Sequence, residues 1–313
     1  MPFDTELIDT PFRMQPGLRR VADGETQLTP NRPDAPALNA KLAVLQAHAG
    51  QALGSAAGFD AAPALNALAA QASSEHPSAF EGDGVEWATT PLLGWSVSGG
   101  RPRGDGPAVI GACLDALPMA WRAPALLALA YAEDFAVLDA ASGRIPWLAV
   151  CLPSHWAPED KLGRHFTEIH APVADNASLM AAAAPLMALV TGERRWQRHV
   201  WTLTAACALD THPRRIAATP WPRETVGDAL AARTWLRSER QTFIPVAGRS
   251  QAVFTIRIEV EPLTDVVRTP AIAARLHGAL ASMSPAVLAY RRLTDVREPL
   301  LGWLAQRAAS GVA

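Results

Sequence analysis

Cysteine is scarce in this sequence of 313 residues, which has only Cys113, Cys151 and Cys207. The three are far apart and form no C-x-x-C pair, which excludes a zinc ribbon. An iron–sulfur cluster held by cysteines of this chain alone would lack a ligand. The spacing instead indicates reduced, mostly buried thiols of a cytosolic protein.

The sequence also lacks an excess of charge of either sign. It has 28 basic and 30 acidic residues, with a formal net charge of −2, so it offers no electrostatic attraction to nucleic acid or to an anionic membrane. Its apolar runs are shorter than the roughly 20 residues that cross a bilayer. The N-terminal residues show no basic segment before an apolar run, so we expect a cytoplasmic protein without a secretory signal.

Familiar nucleotide-binding and hydrolase motifs are missing as well. There is no G-x-S-x-G elbow, no Walker loop and no dinucleotide fingerprint. The glycine-rich segment 94–106 fits none of these patterns, and we predict a surface loop there. If the protein is a redox enzyme, its electrons must therefore come from a separate protein.

What is present is globular composition, with 49% hydrophobic and 19% charged residues, enough to bury a large core. Strand-forming segments joined by short turns predict two β-hairpins, at 133–152 and 239–262. Helical periodicity and proline positions predict most of the other elements. The predicted helices cover residues 36–53, 63–70, 118–131 and 158–170, with an alanine-rich helix after residue 176 and two helices within 270–309.

This order predicts an α+β fold with a PAS-like antiparallel sheet core and helical N-terminal, inserted and C-terminal elaborations. We divide the chain into three regions. Residues 1–115 form an N-terminal arm and helical region, residues 116–265 form the core with its helical insertion, and residues 266–313 form C-terminal helices. Because many α+β folds share this order, topology alone does not indicate a function.

Residues 152–173 (LPSHWAPEDKLGRHFTEIHAPV) hold His155, His165 and His170. His165 and His170 are five residues apart and do not share a helix face, which argues against a two-histidine zinc site. A single histidine at a helix end suffices as an axial haem ligand. The alternative is a buried histidine whose hydrogen bonds are satisfied by the backbone.

A second candidate segment is LRSERQTF, residues 236–243, where Arg237, Glu239 and Arg240 precede an apolar strand. If the strand begins before residue 239, alternation puts Arg237 and Glu239 on one face and Arg240 on the other. The cluster is either a set of surface ion pairs or a polar pocket wall. In a pocket, the guanidinium groups would stabilise oxygen or an anion, and the carboxylate would orient an amine.

Tryptophan is unusually frequent, with ten residues against two tyrosines. Trp156 lies within the first candidate segment, and Trp201 lies in the central region between the two segments. Their rings either belong to the core or form the walls of a flat apolar cofactor site, and composition does not decide between these.

Several segments together resemble one family, the haem-binding subunits of haem-dependent oxidative N-demethylases. The most specific are LPSHW and LRSERQTF, and the resemblance extends over roughly residues 10–265. The supporting segments are TPFRMQPGL, QRHVWTL and AVFTIRIEVEPL.

The resemblance implies a PAS-like core that binds haem b through a histidine. It implies oxidative demethylation of a small secondary amine, dimethylamine in characterised relatives, with O2 as oxidant. Electrons would come from NADPH through a partner reductase carrying FMN and a 2Fe–2S centre. This division agrees with the missing nucleotide motifs.

Carried over by motif, His170 in IHAPV is the expected iron ligand, with Trp201 and Trp156 beside the haem. Arg237, Glu239 and Arg240 are the expected catalytic residues on the oxygen- and substrate-facing side. Two departures either alter only packing or, if those positions shape the pocket, bear on the substrate rather than on the haem. Val200 stands where the family pattern has asparagine, and RIEV at 257–260 replaces the usual Arg-Thr-Tyr-Val.

Two other functions remain open on the same fold. One is a haem-based gas or redox sensor without turnover, although no output domain is recognisable. The other is a relative that has lost haem and acts as a structural subunit. Release of formaldehyde from an amine distinguishes the enzyme from the sensor, and bound haem excludes the structural subunit.

Overall fold

The computed structural model describes residues 4–310, so the regions 1–115 and 266–313 each include three terminal residues outside this range. Eleven strands and twelve α-helices are present within it. The strands are β1 (Arg19–Arg20), β2 (Leu53–Ser55), β3 (Glu81–Gly82), β4 (Trp87–Thr90), β5 (Trp95–Ser98), β6 (Arg101–Gly104), β7 (Asp134–Asp139), β8 (Arg144–Ala149), β9 (Trp196–Thr204), β10 (Trp235–Pro245) and β11 (Gln251–Pro262). The helices are α1 (Pro36–Ala52), α2 (Ala62–Glu75), α3 (Ala108–Ala116), α4 (Met119–Ala130), α5 (Phe166–His170), α6 (Ala177–Ala181), α7 (Ala183–Val190), α8 (Gly227–Ala231), α9 (Leu263–Val266), α10 (Pro270–Ala281), α11 (Pro285–Tyr290) and α12 (Arg297–Ala309).

The fold is α+β, as predicted, and is organised around a seven-stranded antiparallel sheet. The strand order is β1-β9-β10-β11-β7-β8-β2. Both predicted hairpins are present, as β7–β8 and β10–β11. The second hairpin pairs without a register shift from Trp235↔Pro262 to Pro245↔Ala252. It is closed by a turn in which Gly248 has a φ of +69°, a backbone conformation that glycine adopts without steric cost.

Each face of this sheet is covered by helices, which is why β11 is apolar at so many positions. On one face, Val253 packs in a cluster with residues of α1, α2 and α4. Towards the far end of β9 and β10, Leu203 and Leu236 pack against α10, α11 and α12. On the opposite face, Phe243 packs with Met187 and Val190 of α7. This second face carries the cavity described below.

The glycine-rich segment 94–106 differs from the predicted surface loop. It forms β5 and β6 of a second, four-stranded sheet with the order β3-β4-β5-β6. Gly99 and Gly100, with φ of +54° and +72°, form the tight turn between these two strands. The glycines therefore mark a hairpin turn. The Trp95 indole donates a hydrogen bond to the Pro107 carbonyl oxygen at 3.1 Å, which packs the hairpin against the N-terminus of α3.

Two predicted helical segments are divided in the structure. Residues 158–170 form a 3-10 turn at Pro158–Asp160 and then α5, because the backbone turns at Gly163, whose φ is +70°. Residues 270–309 form three helices and not two. The helix beginning at Pro285 ends at Tyr290, where the Leu293 amide bonds back to the Leu288 carbonyl oxygen. Within residues 4–310, no helix combines the length and apolar character needed to cross a membrane.

Candidate functional site

A cavity of about 810 Å³ lies between the second face of the main sheet and the segment that carries α5, α6 and α7. Its volume falls within the range of small-molecule and cofactor sites. Much of its wall is apolar. The apolar side chains that line it include Leu138, Ile145, Phe166, Ile169, Val173, Leu186, Met187, Val190, Phe243, Phe254 and Ile256.

His170 lines this cavity from the last position of α5. Its Nδ1 atom lies 2.8 Å from the Phe166 carbonyl oxygen. A carbonyl oxygen only accepts, so Nδ1 carries the proton and Nε2 keeps its lone pair. Burial is the main cause that lowers the pKa of His170, and the positive charge of Arg198 lowers it further, against the hydrogen bond to Phe166, which raises it. His170 therefore presents a neutral imidazole.

Helix α5 is short, and local contacts fix where it begins. His165 is its N-cap and forms a capping box with Glu168. The Glu168 carboxylate accepts the His165 amide at 3.0 Å, and His165 Nδ1 accepts the Thr167 amide at 3.3 Å. His165 is not among the described residues that line the cavity. The two histidines of this helix thus have different tasks, one capping it and the other facing the cavity.

His155 lines the cavity from the loop after β8. Its φ is +62°, an uncommon conformation for a residue with a side chain. The loop is held in place because the His155 amide donates to Thr211 Oγ1 at 3.0 Å and Thr211 Oγ1 donates to the Pro153 carbonyl oxygen at 3.0 Å. Burial lowers the pKa of His155, and the charge of Arg237 adds to this effect. The cavity therefore contains a second neutral histidine.

Arg237 also lines the cavity, but its guanidinium is committed to the backbone around it. It donates to Ser154 Oγ at 2.8 Å, to the Ala208 carbonyl oxygen at 2.9 Å and to the Leu209 carbonyl oxygen at 2.8 Å. The side chain is 2% exposed, and burial lowers its pKa. Through these hydrogen bonds, Arg237 joins the loop that carries His155 to the segment after β9.

Glu239 is two residues further along β10 and lines the same cavity. One carboxylate oxygen accepts the Gln241 side-chain amide at 2.6 Å. Among the cavity-lining residues within 4–310, Glu239 is the sole carboxylate. It is therefore the group in this wall best suited to hold a cation.

Arg240 lies on the opposite face of β10, as strand alternation predicts, and is not among the described residues that line the cavity. Its guanidinium donates to Gln197 Oε1 at 3.1 Å and pairs with Glu25 at 3.2 Å. The structure thus brings Arg237 and Glu239 together and separates Arg240 from them.

The two tryptophans occupy different environments. Trp156 lines the cavity and also packs against the core through Leu148 and its neighbours. Trp201 borders the cavity, but its ring is 5% exposed and packs in the cluster beneath α10 to α12. The Phe12 ring meets it edge-on at 6.1 Å. Trp156 is therefore the better placed of the two to contact a bound molecule.

Four further arginines line the cavity, Arg144, Arg198, Arg291 and Arg292, and none of them was predicted as a site residue. Arg198 lies on β9 opposite Gln241, and strand alternation within QRHVWTL was a signal that could have found it. Arg291 follows α11, stacks over Phe12 at 4.6 Å and donates to the Trp201 carbonyl oxygen. Burial lowers the pKa of Arg291 to about 10. No sequence pattern near Arg291 points to this position, because its partners lie far away in the chain.

Comparison with known protein families gives a match over most of the chain. A family model described as haem-dependent oxidative N-demethylase, alpha subunit-like, matches residues 39–301. The matched region includes all of α5 and the cavity face of β9, β10 and β11.

Proposed function

We propose, since this chain belongs to the haem-dependent oxidative N-demethylase alpha-subunit-like family, that it is a haem-binding subunit that removes a methyl group from a small secondary amine. The oxidant would be O2, and the cofactor haem b with His170 as its iron ligand. The observation that carries the proposal is His170 itself. A neutral imidazole with protonated Nδ1 and a lone pair on Nε2 lines a largely apolar cavity of about 810 Å³.

The residues present fit a haem. Haem needs an axial ligand and an apolar slot, and the ligand histidine is typically oriented by a hydrogen bond from its other nitrogen. The Phe166 carbonyl oxygen supplies that bond. Within residues 4–310, no three His, Cys, Asp or Glu side chains are grouped so as to hold a metal ion. The candidate ligand is therefore one histidine, with the porphyrin supplying the other donors.

Haem would supply O2 activation and electron transfer, and the side chains would supply binding and proton control. The Glu239 carboxylate is placed to hold the ammonium form of a secondary amine, since hydrogen bonds to charged groups are the strong ones. His155 is neutral and electrostatically coupled to Glu239, so it is the base available to take the amine proton. The apolar wall would exclude water from this reaction.

The proposal also includes a reductase partner and a PAS-like core. The description of the family as an alpha subunit implies other subunits, and we place NADPH, FMN and a 2Fe–2S centre on them. The PAS-like assignment is supported by the connectivity, because β7–β8 is followed by helices and then by three strands, the last of which returns beside β7. We retain the regions 1–115, 116–265 and 266–313 as part of this proposal.

The first test is the absorption spectrum of protein expressed with a haem precursor. We expect a Soret band that shifts on reduction and on binding of carbon monoxide. His170→Ala should lose haem and recover it with imidazole, whereas His155→Ala should retain it. A featureless spectrum after haem reconstitution, or loss of haem only in His155→Ala, would contradict the proposed site.

The second test is turnover with dimethylamine, a suitable reductase and NADPH. Formaldehyde release coupled to NADPH oxidation is expected. Bound haem without turnover of any secondary amine, with a reductase shown to reduce that haem, would instead favour the sensor.

A further inference from the structure

The positive charge in the cavity wall exceeds the negative charge available to balance it. Arg198, Arg237 and Arg291 line the cavity, as do Arg144, Lys161 and Arg292, and Glu239 is the sole carboxylate that does so among the described residues. Buried charges are normally paired, because an unpaired ion in a low-dielectric interior is costly. The wall described here therefore carries a net positive charge that favours an anionic ligand.

Arg198 differs from Arg237 and Arg291 in its hydrogen bonding. The Arg237 donors are taken by Ser154, Ala208 and Leu209. Arg291 is stacked on Phe12 and donates to the Trp201 carbonyl oxygen.

For Arg198, no hydrogen bond or ion pair is formed by the guanidinium with any residue in the range 4–310, and its Nε is buried without an acceptor. The negative charge of Glu239 acts on Arg198 and raises its pKa, yet the two side chains form no ion pair among the described residues. Burial lowers the pKa of Arg198, consistent with a cation that lacks compensation. Among Arg198, Arg237 and Arg291, Arg198 is thus the one whose donors form no hydrogen bond with the described residues and are left to bind a ligand.

The surroundings of Arg198 indicate the chemistry of that ligand. A guanidinium presents a planar fork that matches a carboxylate. Val200 and Ile256 lie on the same face as Arg198, and they offer an apolar surface rather than the further donors that a phosphate would require. Arg198 lines the same cavity as His170, the proposed iron ligand.

We infer that Arg198 is the carboxylate anchor of this cavity. The inference rests on the proposed function, and the carboxylate has two sources there. It belongs either to a propionate of the haem or to a substrate that carries a carboxylate beside its secondary amine, with Glu239 holding the ammonium. The second source would make the substrate an N-methylated amino acid.

The experiment compares wild type with Arg198→Gln and Arg198→Lys. The matched control is Arg249→Gln, which removes the same charge from the exposed β10–β11 turn outside the cavity. Each apoprotein is titrated with haem and with haem dimethyl ester, whose propionates are uncharged, and the Soret band gives both dissociation constants. Each haem-loaded protein is then titrated with N-methylglycine and with dimethylamine.

If a propionate is bound, the wild-type preference for haem over its diester should shrink by about tenfold or more in Arg198→Gln. Arg198→Lys should retain part of that preference, and Arg249→Gln all of it. If a substrate carboxylate is bound, the porphyrin preference stays unchanged, but the Soret response to N-methylglycine is lost in Arg198→Gln while the response to dimethylamine is kept.

A variant Arg198→Gln with wild-type selectivity in both titrations overturns the anchor and leaves the haem site standing. A wild-type protein that binds neither porphyrin overturns the proposed function, and the anchor with it. Denaturant unfolding of the apoproteins checks folding. Arg198→Gln should be at least as stable as wild type, because it removes an unpaired buried charge.

Discussion

Arg237 and Arg240 lie three residues apart on β10 and share a charge, yet their environments differ. The first is 2% exposed and bonded to three backbone carbonyl oxygens at up to 3.4 Å and to one hydroxyl. The second is 16% exposed in its side chain and pairs with a half-exposed carboxylate. A buried guanidinium that donates to backbone carbonyl oxygens stabilises the folded protein far more than an ion pair in contact with solvent.

We therefore predict that Arg237→Ala lowers the free energy of unfolding by about 3 kcal/mol or more, since it leaves several buried carbonyl oxygens without donors. Arg240→Ala should cost about 1 kcal/mol or less. Urea unfolding followed by tryptophan fluorescence measures both. Equal losses of unfolding free energy in the two variants would show that the hydrogen bonds of Arg237 do not hold these segments together.

Glu239 is the residue on which amine recognition depends in the proposed site. Glu239→Gln keeps the size and the neighbour Gln241 but removes the negative charge. Affinity for dimethylamine, read from the amine-induced change in the Soret band, should fall by about tenfold or more. Haem content should not change.

The control for this prediction is Glu81→Gln, an exposed carboxylate on β3, which should leave amine affinity as it is. Equal amine affinity in wild type and Glu239→Gln would remove Glu239 from the binding role and leave the cation site elsewhere.

At the scale of elements, the position of α5 depends on the turn between β7 and β8. Gly143 has a φ of +68°, and a Cβ added there would lie 2.3 Å from His165 Nε2. The Phe166 amide also donates to the Gly143 carbonyl oxygen at 2.7 Å. The turn thus holds both the cap and the first residue of the helix that ends at His170.

Gly143→Ala is accordingly predicted to displace α5. The matched control is Gly248→Ala, which has a φ of +69° but no atom within 4 Å of the added Cβ. Both variants should be destabilised by roughly 1–3 kcal/mol because of the left-handed backbone. Only Gly143→Ala should speed hydrogen exchange in residues 163–176 and weaken haem binding. The same exchange rates in both variants would contradict this coupling.

The sequence predicted elements best where local pattern and tertiary pairing agree. Strand-forming segments on either side of a short turn predicted the second hairpin. Because β10 begins at Trp235, Arg237 and Glu239 share one face of the strand. Local pattern failed at residues 94–106, where β5 pairs with β6 inside the segment and with β4 outside it, so that a glycine-rich stretch becomes two strands. It also gave no sign of Arg291, whose place in the cavity depends on contacts with Phe12 and Trp201.

At the scale of the whole molecule, long-range contacts connect the three regions. One apolar cluster joins Leu38 and Leu65 of the N-terminal helices to Phe135 and Val253 of the main sheet. A second joins Ile8 to the C-terminal helices. Stability therefore depends on groups brought together from distant positions, including the half-buried His170 on the cavity side and the half-buried His199 on the opposite face of the sheet.

The last prediction concerns acid stability and follows from His155, His170 and His199. Burial is the largest cause that lowers the pKa of each of the three. For His199, the pKa falls from 6.5 to about 4. The charges of Arg19 and Arg240 add to this effect, and those of Glu25 and Asp4 oppose it. A histidine with a lowered native pKa takes up a proton more readily in the unfolded chain. Its contribution to stability is therefore fully present above pH 6.5 and is lost as the pH falls towards the native value of about 4.

His199 lies opposite Arg240 in the register of β9 and β10, on the face away from the cavity. His199→Gln therefore tests this effect without changing the haem site. Urea unfolding at several pH values between 7 and 4 should show a fall in the unfolding free energy that is smaller in His199→Gln than in wild type. The raised pKa values of Glu133 and Glu259, which burial causes, act in the opposite direction and are common to both proteins. The difference between the two slopes therefore isolates His199, and equal slopes would mean that its burial does not oppose protonation.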